Sequence, residues 1–300
     1  ARLAGGCPRP SGGAGGTRND WGRGRGTMSA NQTVGDALTM MRRDATHAMR
    51  NPMLTISAIF TPMIMLLLFD GVFGGAMSHS LLSGAAAAPY IDYLTPGIIL
   101  MAVGSSVSGT AISINIDQRE GIIARFRTMA ISRTSVLTGA AIGGVIRIAL
   151  ATVVVFVVAL LLGFRSSAGL AQWFAALGMV ALLALAMTWL GIAFGLLTRS
   201  AAGANSLGLI PSFLPFISSA FVPTESMPAG VRWFAENQPY TPMIETLRGL
   251  LMGTPIGNRW IFAAAWCAAI GLASYFWARH LYNRDPSRQA GPSVAQLMGQ

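Results

Sequence analysis

The sequence has no lysine; all 21 of its basic residues are arginine. That absence excludes chemistry built on a lysine amine, including an ATP-binding Walker A loop and a Schiff-base site. Charge of either sign is scarce, at 11% of residues, against about 25% in soluble domains. The two cysteines, Cys7 and Cys267, stand in a Gly-rich tail and an apolar run, so no disulfide is expected. The three histidines, His47, His79 and His280, offer no zinc spacing and lie outside the apolar runs. Those positions speak against an intramembrane Ser–His protease. The eleven acids are equally dispersed, so no carboxylate cluster exists to hold Mg²⁺ and a diphosphate. Neither a catalytic residue nor a metal site is expected.

What is present is apolar sequence. Hydrophobic residues make up 53% of the 300, and the mean hydropathy is +0.54. Such a composition belongs to a membrane protein. The formal charge of +10 is not a nucleic-acid signature. Five arginines and one aspartate in residues 1–27 supply +4 of it, and the rest gathers in particular loops.

A span of about 30 Å of hydrocarbon takes roughly 20 apolar residues. Six runs approach that length, at about 53–69, 94–114, 142–164, 170–197, 204–221 and 260–277. The expected fold is an all-α integral membrane protein with six transmembrane helices over residues 51–282. Residues 1–33 read as a disordered Gly/Arg-rich tail, with 1–27 an extension ahead of a start at Met28. The extension lacks the apolar core of a signal peptide. In residues 34–50 the apolar positions Val34, Leu38, Met41, Ala45 and Ala48 recur at helical spacing, with Arg42, Arg43, Asp44 and Arg50 off the stripe. This predicts an amphipathic helix lying in the membrane interface. Residues 283–300 form a C-terminal tail.

Arginine placement predicts orientation. With the N-terminus inside, the inner segments hold Arg42, Arg43, Arg50, Arg119, Arg125, Arg127, Arg133, Arg199, Arg279, Arg284 and Arg288. The outer segments hold Arg165, Arg232, Arg248 and Arg259, and the 70–92 loop has none. Both termini are expected in the cytoplasm of a bacterial cell, around a multi-pass span of its membrane. In the long outer segment, "YTPMIETLRGLLMG" predicts a short amphipathic or re-entrant helix. Thr241 is its expected N-cap, Pro242 its first residue and Gly253 its stop, with Glu245 paired to Arg248.

Between the second and third runs lies "DQREGIIARFRTMAISRTS", residues 117–135. Asp117 as N-cap and Glu120 three residues later suggest a capping box. Ile122, Phe126 and Met129 then form an apolar ridge, flanked by Arg125 and Arg127. Such a helix suits anionic headgroups, or the groove of a partner protein.

The stretch "GIIARFRTMAISRTSVLTG" resembles the signature between spans two and three of type-2 ABC exporter permeases of the daunorubicin-resistance-like group. Further on, "FAENQPYTPMIETLRGLLMG" resembles that family's segment before the last span. The resemblance covers about residues 34–284. One departure is Ala130, where the family often has proline. The resemblance implies that the loop is a coupling helix docking into a separate ABC nucleotide-binding subunit. Carried over by position, Asp117, Glu120, Gly121, Arg125, Phe126, Arg127 and Arg133 would couple to that ATPase. ATP and Mg²⁺ would be bound by the partner, with no cofactor in this chain. A second permease subunit, read as an identical copy, would complete the path for a hydrophobic or amphipathic drug, metabolite or lipid.

Within the spans, Ser105, Ser106, Ser108 and Thr110 of the second run are open to two readings. Small residues allow close helix packing, or they form a mildly polar wall of a path. Asn205, Ser212 and Phe213 of the fifth run join the path candidates, and Pro211 and Pro215 are expected to kink or break that helix. Arg147 is read either as snorkelling to the interface or as a substrate or subunit contact. A secondary transporter or channel is the rival function. Such proteins usually carry acids or histidines inside spans, whereas all eleven acids here fall outside the runs or at their edges.

Overall fold

The computed structural model describes residues 52–80, 89–120 and 133–283. Every regular element among these is helical. In order they are α1 (Pro52–Ser80), α2 (Tyr90–Arg119), α3 (Arg133–Leu161), α4 (Leu170–Leu197) and α5 (Ala201–Phe213). Two 3₁₀ turns come next, Leu214–Ile217 and Thr224–Ser226, then α6 (Ala229–Asn237), α7 (Tyr240–Met252) and α8 (Arg259–Asn283). The amphipathic segment 34–50, both tails and the coupling-loop residues Gly121, Arg125, Phe126 and Arg127 lie outside the described residues.

Among the described residues, four helices are long and apolar enough to cross a bilayer: α2, the Leu137–Leu161 part of α3, α4 and the Arg259–Tyr282 part of α8. The other two expected spans contain the shorter apolar stretches Phe60–Gly75 and Ala201–Ile217. The second of these has an internal cause for its shortness. Ser200 caps α5 by accepting the Gly203 N–H at 3.1 Å, and Pro211 is tolerated inside the helix. Pro215 then enters a 3₁₀ turn, because a proline ring offers no N–H to continue the ladder.

Three local expectations are corrected. Asp117 does not start a new helix; α2 continues through it to Arg119, and Glu120 is the C-cap. Ile116 lies past the expected run 94–114, and the helix continues through it to Arg119. Thr241 is not an N-cap but lies in the first turn of α7, where its hydroxyl donates to the Ala235 carbonyl of α6 at 2.5 Å. Glu245 pairs with Arg259 of α8 instead of Arg248. Gly253 does end α7, in the left-handed region at φ 66°.

α2 is the central helix, touching α1, α3, α4, α5 and α7, and is buried along most of its length. Glycines of its neighbours let them approach. A Cβ on Gly195 of α4 would stand 2.6 Å from the Ala111 carbonyl oxygen. One on Gly208 of α5 would overlap the Ser108 backbone. Large apolar side chains point away from the bundle along α3, at Ile142, Ile146, Leu150, Val153 and Val157. Their three- and four-residue spacing makes one continuous lipid-facing stripe. Arg147 is half-buried on the same helix, fourteen residues after Arg133, or about 21 Å along its axis.

The close α2–α5 approach makes a sharp prediction. Gly208→Ala should cost about 1–3 kcal/mol through overpacking, read as a lower unfolding temperature in detergent. Gly178→Ala should leave that temperature unchanged, because nothing lies within 4 Å of its Cβ position.

Candidate translocation seam and its cap

Where α2 and α5 meet, one face of each helix is left open. On α2 it carries Ser105, Ser108, Gly109, Ile112 and Ser113, half-buried and spaced by three or four residues. On α5 it carries the exposed Asn205, Ser206, Leu209 and Phe213. The Ser108 hydroxyl donates to Asn205 Oδ1 at 2.5 Å, joining the two faces. Ser212 donates to the Gly208 carbonyl at 3.0 Å and, more weakly, to that of Gly104 at 3.4 Å. The seam is uncharged and mildly polar. It can hold an amphiphile by shape and a few hydrogen bonds, and it has no group to carry a proton.

The expected path residues divide between seam and core. Ser105, Ser108, Asn205, Ser212 and Phe213 border the seam. Ser106 and Thr110 are buried. Ser106 bonds its own helix through the Val103 carbonyl at 2.6 Å, and Thr110 packs against the Gly191 position of α4. Ser106 and Thr110 serve close packing, and Ser105 and Ser108 lie on the open face of α2. Of the expected coupling residues, Asp117 lies in the last turn of α2, Glu120 just after it, and Arg133 opens α3.

Beyond the end of α5 the chain is irregular, and its carbonyls need donors. Pro215 cannot donate to the Pro211 carbonyl four residues back, so the Tyr240 hydroxyl does, at 3.0 Å. Ser218 donates to Pro215 O at 2.5 Å, and Gln238 Nε2 to Ile217 O at 2.5 Å. Ser219 O accepts from Tyr93 at 3.0 Å and from Arg248 Nη2 at 2.8 Å. Phe221 O accepts from Tyr90 at 3.0 Å. Side chains of α2, α7 and the intervening loops thus take the carbonyls at residues 211, 215, 217, 219 and 221.

Arg248 is the hub of this cap. Its guanidinium also donates to the Tyr93 carbonyl, at 3.1 Å from Nη2, and lies 3.6 Å from the centroid of the Tyr93 ring. A planar cation suits both contacts at once. Two more hydroxyls, Ser166 and Ser167, tie the α3–α4 connection to the last carbonyls of α7, Leu251 and Met252, at 2.6 and 2.5 Å. At the opposite end of the bundle, Asn115 Nδ2 donates to the Thr198 carbonyl at 2.6 Å. This joins α2 to the α4–α5 turn, six residues before the loop that begins at Gly121.

Sequence reading missed Tyr90, Tyr93, Asn115, Gln238, Tyr240 and Arg248. The available signal was polar residues capable of donating, placed beside a proline-broken apolar run.

Residues 36–252 match the family profile described as "ABC-2 type transporter". The chain is also 28% identical to a daunorubicin resistance ABC transporter permease protein of Streptomyces coeruleorubidus, over 228 residues covering 75% of this chain and 77% of the relative. A Mycobacterium tuberculosis protein described as a "Probable doxorubicin resistance ABC transporter permease protein" is 25% identical over 240 residues, 79% of this chain and 84% of that one.

Removing the hub should loosen the cap alone. Arg248→Ala should cost about 3 kcal/mol, the upper range for hydrogen bonds to a charged group. Hydrogen exchange should quicken at 218–221 and 240–252 while the α2–α4 contacts stay protected. Arg248→Lys should restore little, because an ammonium cannot serve both carbonyls and stack on the ring.

Proposed function

Because this chain belongs to the ABC-2 type transporter family, we propose that it is the membrane subunit of an ATP-driven exporter for a hydrophobic or amphipathic compound. The carrying observation is the family match over residues 36–252, which includes the α2–α3 loop, the seam and most of the cap. The relatives' names speak of daunorubicin and doxorubicin resistance, and an uncharged seam suits cargo of that apolar character. ATP would be hydrolysed by a separate nucleotide-binding subunit, since this chain has no lysine for a P-loop. The arginine-rich ends and α2–α3 loop would face the cytoplasm, which puts the cap outside. A second permease subunit, taken as an identical copy, would close the seam into a path.

In this reading the motor pushes on the 121–132 loop, with Phe126 as the apolar anchor and Arg125 and Arg127 as charged borders. The push enters α2 directly. Asn115 passes it to the α4–α5 turn, and α5 slides along α2, with the break at Phe213–Pro215 absorbing the movement. The cap holds the far end of α2 through Tyr90, Tyr93 and Arg248, so sliding of α5 along the seam opens or shuts the path.

Two experiments check this. Tagged wild-type protein, purified from native membranes in mild detergent, should bring down an ATPase that a Phe126→Asp, Arg127→Glu double variant loses. Absence of any ATPase from the wild type, with ATP-independent solute flux in liposomes, would sink the exporter reading. Separately, Asn205→Phe should lower amphiphile extrusion several-fold while retaining the ATPase, because it obstructs the seam and leaves the loop untouched.

A further inference from the structure

α4 and α8 pack closely through their halves distant from the cap. The Trp189 and Tyr275 rings meet edge to face at 4.9 Å, Phe194 and Trp277 at 6.0 Å, and a Cβ at Gly271 would lie 3.5 Å from Ala186. Toward the cap α7 contacts both helices. It does not fill the space between them. A cleft of about 380 Å³ remains, with Thr246 and Leu250 of α7, Gly178 and Met179 of α4, and Trp260 and Ala264 of α8 among its walls. That volume is at the lower end of the range for ligand sites, roughly 300–1,000 Å³.

Three features point to one occupant. The lining is apolar apart from Thr246, and Thr246 satisfies its own hydroxyl on the Pro242 carbonyl at 2.6 Å, so the cleft asks for hydrocarbon. It lies five to twelve residues into α4 and up to five into α8, within the leaflet on the cap side. Next in sequence to the lining residues Thr246 and Trp260 are Glu245 and Arg259, which form an ion pair joining α7 to α8, with the Arg259 side chain 62% exposed and that of Glu245 21%. A lone arginine would select an anionic headgroup. An arginine held by a carboxylate presents both signs, and a zwitterionic headgroup leaves no charge there unmatched.

We propose that this cleft is a resident lipid site, holding one acyl chain of a zwitterionic phospholipid with its phosphate against Arg259 and its ammonium against Glu245. The lipid completes the wedge that α7 begins between α4 and α8. The site is separate from the α2–α5 seam, and it requires only that the chain sit in a bilayer.

The test uses the full chain in nanodiscs containing phosphatidylethanolamine or phosphatidylglycerol probes with a photoreactive group on one acyl chain. Cross-links are mapped by mass spectrometry. The ethanolamine probe should label α4 near Gly178 and α8 near Trp260 several-fold more than the glycerol probe does. Gly178→Leu should cut that labelling about tenfold and leave labelling of the α3 stripe unchanged; the added side chain enters open space, so the fold is spared. Glu245→Gln should turn the preference toward the glycerol probe, since Arg259 is then a lone cation. Equal labelling by the two probes in the wild type, or labelling indifferent to Gly178→Leu, would overturn the site. Labelling seen only with ATP and a motor subunit would also overturn it, by making the cleft part of the cargo route. The readout needs neither ATP nor a motor, so loss of the exporter reading would leave it standing.

Discussion

Backbone carbonyls released from a broken helix at membrane depth must find donors inside the protein, and the cap end of this molecule is organised by that need. Pro215 ends the ladder of α5, and the chain beyond it is irregular, with buried oxygens. Tyr240, Ser218, Gln238, Arg248, Tyr93 and Tyr90 supply the donors. Four of the six come from α2 and α7, and Gln238 lies just before α7, so satisfying the break also fixes where the cap docks. Replacing Tyr240, Gln238 or Tyr90 by an apolar group would leave the acceptor it serves unmatched, which costs more than the net worth of the bond.

The same arrangement makes α2 a rigid strut. Its cap end is held by three aromatic and cationic contacts and its other end by Asn115 on the Thr198 carbonyl. Between these ends, small residues allow α4 and α5 to approach to backbone contact. Close backbone packing resists tilt but permits sliding, since few side chains interlock across it. The helix with the most neighbours is thus the one joined directly to the α2–α3 loop.

Much of this was legible in the sequence where one local rule decides the outcome. Run lengths located α4 to the residue, Gly253 marked the end of α7, and the Pro211–Pro215 pair marked the break in α5. The failures came where a distant partner displaced a near one. Glu245 and Arg248 have ideal spacing for an i,i+3 pair, yet each finds a partner on another element. Asp117 looked like a cap, but the apolar run beneath it kept the helix going. For the seam, composition supplied the candidates and could not assign them to faces; that took the burial of Ser106, the α4 neighbour of Thr110 and the α5 neighbour of Ser108.

The partners of Arg248 carry a consequence for the setting in which the cap works. Among the described contacts its charge is met by two carbonyl oxygens and an aromatic face, none of which takes up a proton in the physiological range. A clamp built on a carboxylate would weaken as its surroundings acidified, and one built on histidine would strengthen. This one does neither, so the Arg248 contact itself does not respond to acidity at the cap face.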